Sequence, residues 1–121
     1  MTRKDEEGLR DKKGMVDGRY TEESYRKLLV WKRSHAFVLA VYSLTRTFPK
    51  FEQYGLISQL QRASVSVVAN IVEGNSKHSQ KDLLRFLDIA TGSLSECACL
   101  LEIARDLLYI RQDAYNQIEL L

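Results

Sequence analysis

A chain of 121 residues has room for one domain and one hydrophobic core, and its 45% hydrophobic and 28% charged content is that of a globular protein. No apolar run reaches the ~18 residues that would read as a bilayer span, and MTRKDEEGLRDKKG at the N-terminus has no signal-peptide core, so no membrane role and a cytoplasmic location are expected. The net charge of +2 is too small to demand a nucleic-acid partner, but it is unevenly spread: residues 1–33 carry ten Lys/Arg against seven Asp/Glu, residues 34–81 five against two, and residues 82–121 three against seven.

Residues 1–24 mix charges of both signs with Gly8, Gly14 and Gly18 and show no helical stripe. They read as a flexible charged arm before a bundle domain over 25–121. The first helix is predicted from about Val30 to Thr47. Trp31, Val38 and Tyr42 share one face, with Phe37, Val41, Leu44 and Phe48 beside it, and Pro49 stops the helix. His35 lies on nearly the same side, and with no second histidine near it in sequence it reads as packed or surface-exposed.

A second helix is predicted from about Gln53 to Glu73. Its apolar residues, Leu56 to Val72, cover an arc of about 200° at 100° per residue, twice what a surface helix needs. Such a helix is either central or covered on a second side by another subunit. Arg62, Ser66, Asn70 and Glu73 form a narrow polar strip across it. The strip reads as an interhelical or intersubunit hydrogen-bond network, with Arg62 paired to Glu73 or to a neighbour's acid, or else as a groove or pore lining.

The stretch NIVEGNSKHSQKDLLRFL joins this helix to the next. Gly74 is expected just past the helix end, at the position that tolerates positive φ. Ser79 followed by Asp82 reads as an N-cap with an acid at the third helical position. Lys77, His78 and Lys81 surround that helix N-terminus, which makes the corner a candidate seat for a phosphate as well as a plain turn, although Asp82 competes with an anion.

The third helix carries Leu83, Leu87, Ala90, Leu94, Cys97, Leu101, Ala104 and Leu108 at 4-3-4-3-4-3-4 spacing, an a/d seam over 26 residues. Gly92, Ser95 and Cys99 are small residues on its other side. Cys97 and Cys99 point about 200° apart on a helix, so they cannot pair with each other, and both are expected to be small buried residues. Ala114, Tyr115, Ile118 and Leu121 fit a short fourth helix that would leave part of the seam uncovered. No strand signal competes. The expected fold is all-α, an antiparallel up-down-up-down four-helix bundle with a short fourth helix.

The chain also carries a series of features in a characteristic order. Val30-Trp31 opens the first helix and Phe48-Pro49 closes it. Tyr54-Gly55-Leu56, Gln59-Leu60, Arg62-Ala63, Ser66, Asn70-Ile71 and Glu73-Gly74 follow. Ser79, Phe86-Leu87, Ala90, Gly92-Ser93 and Glu96 complete the series. In this combination, over residues 28 to about 110, the chain resembles the four-helix-bundle proteins encoded within intervening sequences of bacterial 23S ribosomal RNA genes. The resemblance implies a left-turning antiparallel bundle that assembles into a homo-oligomeric ring, typically a pentamer, and it implies no enzymatic activity. The fold is also similar to that of the accessory proteins of diversity-generating retroelements, basic pentameric barrels that bind nucleic acid and a reverse transcriptase.

No Glu-x-x-His pair, zinc spacing, phosphate loop or nucleophile elbow occurs, so neither a cofactor nor a metal nor catalysis is expected. Two functions remain. The first is a nucleic-acid-associated accessory protein that contacts RNA or DNA through Lys32, Arg33, Arg46, Lys50, Lys77, Lys81 and Arg85, each weak contact repeated around a ring. The second is a protein-interaction or self-assembly scaffold with a protein partner and no nucleic-acid role.

Overall fold

The computed structural model describes residues 15–16, 19–20, 25 and 28–119, so the predicted arm over 1–24 lies almost wholly outside the described residues. Its four described residues form two short strands, β1 (Met15–Val16) and β2 (Arg19–Tyr20), paired antiparallel with Met15 opposite Tyr20. This pair departs from the strand-free reading; Asp17-Gly18 between them is a dipeptide that favours two-residue hairpin turns. The remainder is all-α: α1 (Leu29–Thr45), α2 (Leu56–Asn75), α3 (Gln80–Asp106) and α4 (Gln112–Glu119), with a 3-10 turn at Lys50–Glu52. Helix α2 packs against both α1 and α3, and α4 against α3, contacts compatible with an up-down-up-down order.

Helix α1 buries a different face from the one its large residues suggest. Ser34, Phe37, Val41, Thr45 and the following Phe48 are buried, whereas Tyr42 is exposed and Trp31 and Val38 are half-exposed. The two hydroxyl residues can sit in the core because each satisfies itself on its own helix. Ser34 Oγ donates to the Val30 and Trp31 carbonyls at 2.8 and 3.0 Å, and Thr45 Oγ1 donates to Tyr42 O at 3.1 Å.

Helix α2 starts three residues later than predicted. Lys50–Glu52 takes up a 3-10 turn, and Gly55 at the N-cap has no side chain to close the helix end. Glu52 does so instead: its Oε1 accepts the Leu56 N–H at 3.3 Å, and its Oε2 accepts the Tyr109 hydroxyl at 3.0 Å. One carboxylate thus caps α2 and ties the α1–α2 corner to the segment after α3. The carboxylate and partial burial both push the Tyr109 hydroxyl pKa up, burial being the larger cause.

The core runs along α2. Leu60 and Val41 are fully buried, and they cluster with Phe37, Ile57, Ala63, Cys97, Leu101, Ala104, Tyr115 and Ile118. A smaller cluster of Val67, Ile71 and Ala90, with Val30 and Leu87 against it, holds the other end. Helix α4 contributes only to the first cluster. The eight residues of α4 therefore leave one end of α3 uncovered, and Leu84 and Leu94 are 48% and 47% exposed there.

The buried stripe of α3 also departs from the predicted seam at two positions. Ser93 takes the inner place expected of Leu94 and meets Ser66 Oγ at 2.8 Å across the α2–α3 interface. Leu108 is 89% exposed and lies past the helix end with φ of 67°. Its N–H bonds Arg105 O and the Tyr109 N–H bonds Ala104 O, both at 2.9 Å, which closes α3 in a Schellman motif. A leucine in left-handed geometry costs about 1 kcal/mol or more. Leu108→Gly is therefore expected to raise stability by about 1 kcal/mol in chemical denaturation, because the exposed side chain contributes little packing.

Candidate functional site

The α2–α3 corner is built by close backbone approach. Gly74 does not lie past the end of α2 as predicted; it is a buried residue inside the helix, which continues to Asn75, and its φ is not positive. Its role is space. A Cβ at this position would meet Phe86 Cβ at 3.1 Å, Leu83 Cδ1 at 3.2 Å and the Leu83 carbonyl at 3.3 Å. Ser79 caps α3 as predicted, its Oγ accepting the Asp82 N–H at 3.1 Å. Lys77 makes an ion pair with Glu73 at 2.9 Å. Lys77 and Arg85 also flank the half-buried Phe86 ring, at 5.1 and 5.3 Å from its centroid. Lys81 and His78 are exposed.

The fold sorts the seven predicted cations into two groups. Val30 in the first turn of α1 and Leu87, two turns into α3, pack on one cluster, so the N-terminal parts of α1 and α3 share an end of the molecule. Lys32 and Arg33 of α1 come to that end with Lys77, Lys81 and Arg85, and all of them but the half-exposed Lys77 are exposed. His35 is there too, stacked on Trp31 with ring centroids 4.8 Å apart, and Tyr25 tilts against Trp31 at 5.5 Å. Arg46 and Lys50 stand at the opposite corner, beside the start of α2.

The polar strip of α2 divides as well. Ser66 and Asn70 join the hydrogen bond to Ser93: Asn70 Nδ2 donates to Ser66 O at 2.8 Å and to Ser66 Oγ at 3.1 Å. Of these bonds, Ser66–Ser93 joins α2 to α3, while those of Asn70 stay within α2. Arg62 and Glu73 do not pair with each other; among the described residues the ion pair of Glu73 is to Lys77. Arg62 instead lines an open groove of about 400 Å³ with Tyr42, Gln53, Tyr54, Gln61 and Val65. The one-dimensional pattern gives no sign of that groove, because its walls come from two helices and the turn between them.

The cysteines also part company. Cys97 is fully buried, and burial, aided by the nearby Glu96 charge, pushes its thiol up to about 11. Cys99 is exposed, contrary to the expectation that both would be buried, because it faces away from α2. Among the described residues no group of three or more His, Cys, Asp or Glu side chains is placed to hold a metal, and no helix is long and apolar enough to cross a membrane.

The family model described as 23S rRNA-intervening sequence protein matches residues 26–121, a span that takes in all four helices and both corners. The chain belongs to the 23S rRNA-intervening sequence protein family. No curated protein matches it. The residue series that carried the resemblance has a physical basis in this family member. Phe48 is core, Gly74 permits the close α2–α3 approach, and Ser66, Asn70 and Ser93 form its hydrogen-bonded centre.

Proposed function

We propose that this family member is a non-enzymatic, cytoplasmic accessory protein that binds RNA or DNA as a homo-oligomeric ring, with the pentamer as the expected form. Each subunit is read as an antiparallel up-down-up-down bundle. Ser66 against Ser93 and Gly74 against Leu83 and Phe86 support that arrangement, since one partner advances as the other retreats.

The observation that carries the nucleic-acid reading is the gathering of Lys32, Arg33, Lys77, Lys81 and Arg85 at one end, next to the Trp31–His35 stack and Phe86. Exposed cations supply a sequence-independent hold on phosphates, and repetition around a ring multiplies it. Arg46 and Lys50 extend the basic surface at the far corner. Fluorescence anisotropy with ribosomal RNA fragments tests the proposal: binding is expected at low salt and should weaken steeply as salt rises. Absence of binding at low salt contradicts it.

A second reading, a self-assembly or protein-interaction scaffold without nucleic acid, is favoured by the apolar residues Leu39, Leu84, Leu94 and Ile103, which are 43–59% exposed. A nuclease-insensitive pull-down of one protein partner, with no RNA affinity, would select it.

A further inference from the structure

The groove at the α1–α2 corner has the chemistry of a base-binding cleft. Its volume of about 400 Å³ falls in the usual range for small-ligand clefts. Tyr54 on its wall is 94% exposed and Tyr42 37% exposed, and Phe51, one turn earlier, is 79% exposed. Phe51 sets its ring edge-on to Tyr109 with centroids 6.4 Å apart, which leaves Tyr54 and the partly open Tyr42 as the aromatic faces of the groove.

Charge at this corner points the same way. Arg62 lines the groove. Gln61 of its wall donates to Thr45 Oγ1 at 3.2 Å, which places Arg46, the next residue, at the same corner. Lys50 opens the turn that leads into Gln53 and Tyr54. The nearby acid, Glu52, already accepts the Tyr109 hydroxyl and the Leu56 N–H. Aromatic faces for stacking, carboxamides for a base edge and cations for a phosphate together match one class of occupant.

We propose that this groove takes one unpaired nucleobase of a single strand, stacked on Tyr54 and Tyr42, with its carboxamides Gln53 and Gln61 toward the base edge and Arg62 on the adjoining phosphate. The inference rests on the nucleic-acid reading and adds a preference for single strands. Gln61 and Arg62 line the groove, and from them to the end of α2 at Asn75 the helix rises about 20 Å at 1.5 Å per residue, so a strand held at both sites would run along much of that helix.

The test compares a single-stranded RNA carrying 2-aminopurine with a duplex of the same length, in wild type, Tyr54→Ala and Arg62→Gln. Both side chains are exposed, so both variants are expected to fold. Wild type should quench the 2-aminopurine emission, and Tyr54→Ala should weaken single-strand binding about tenfold while leaving the duplex unchanged. Arg62→Gln should weaken the single strand with the quenching retained at saturation. Unchanged single-strand affinity in Tyr54→Ala overturns the groove assignment while the nucleic-acid reading stands. A changed oligomeric mass of Tyr54→Ala by light scattering, with RNA affinity unchanged, also overturns it and makes the groove a subunit contact. A wild type that binds neither RNA removes the nucleic-acid reading, and the groove assignment falls with it.

Discussion

Leu60→Ala is expected to lower the unfolding free energy by about 4 kcal/mol, measured by urea denaturation followed by helical circular dichroism. Leu60 is fully buried in the second turn of α2, where residues from all four helices form one cluster. Removing three carbons there loses their transfer energy and leaves a cavity. The surrounding side chains belong to four separate helices, so no single shift fills it. A single domain holds only about 5–15 kcal/mol in total, so the loss is a large share. A change below about 1 kcal/mol would mean that this position is not at the centre of the core.

Gly74→Val should destabilise by about 3 kcal/mol in the same measurement. Two effects compete here. Replacing a glycine inside a helix normally gains some helix propensity, up to about 1 kcal/mol for alanine, less for a β-branched residue, and less again at the penultimate position that Gly74 holds in α2. Against this, the first added carbon already sits 3.1 Å from Phe86 Cβ and 3.3 Å from the Leu83 carbonyl. Both atoms are fixed to the α3 backbone and cannot swing away, so α3 itself must move outward. Valine adds two more carbons to the same narrow space. The displacement also carries Phe86 and Arg85 away from Lys77, so RNA affinity should fall along with stability. Gly92→Ala is the internal control: no atom lies within 4 Å of its added carbon, so only the propensity gain should register.

Much of this fold follows from local chemistry that a sequence displays directly. Pro49 stops α1 because it disfavours helical geometry before it, and Ser79 caps α3 with its own oxygen. The breadth of the apolar arc on α2 correctly marked a helix with neighbours on two sides. Choices between adjacent faces were harder to read. Trp31, Val38 and Tyr42 offer far more apolar surface than Ser34 and Thr45, yet the hydroxyls are buried because they bond their own helix. Leu94 yields to Ser93 for a related reason: a short side chain lets α2 and α3 approach, and its hydroxyl finds Ser66. The α4 stub then leaves Leu94 without a cover.

The candidate site was legible as composition and hidden as geometry. The seven cations can be picked out along the chain, but their division into five and two depends on Val30 and Leu87 sharing a cluster across 57 residues of sequence. Arg62 looked like a member of one strip with Ser66, Asn70 and Glu73. It separates from them because the α1–α2 corner opens beside it. Gly74 carried a signal for the right residue and the wrong role, since a helix stop and a close helix approach both require glycine.

Whether the basic end holds nucleic acid is tested most directly by the salt dependence of RNA affinity in two charge variants. One carries glutamine at Lys32, Arg33, Lys77, Lys81 and Arg85; the other carries glutamine at Arg46 and Lys50. The plot of log affinity against log salt should flatten by about 0.7 for each single-strand phosphate that is no longer neutralised. The five-residue variant is predicted to flatten it more than twice as far as the pair. Equal slopes for wild type and both variants, or affinity insensitive to salt between about 50 and 200 mM, would contradict a nucleic-acid role for the basic end.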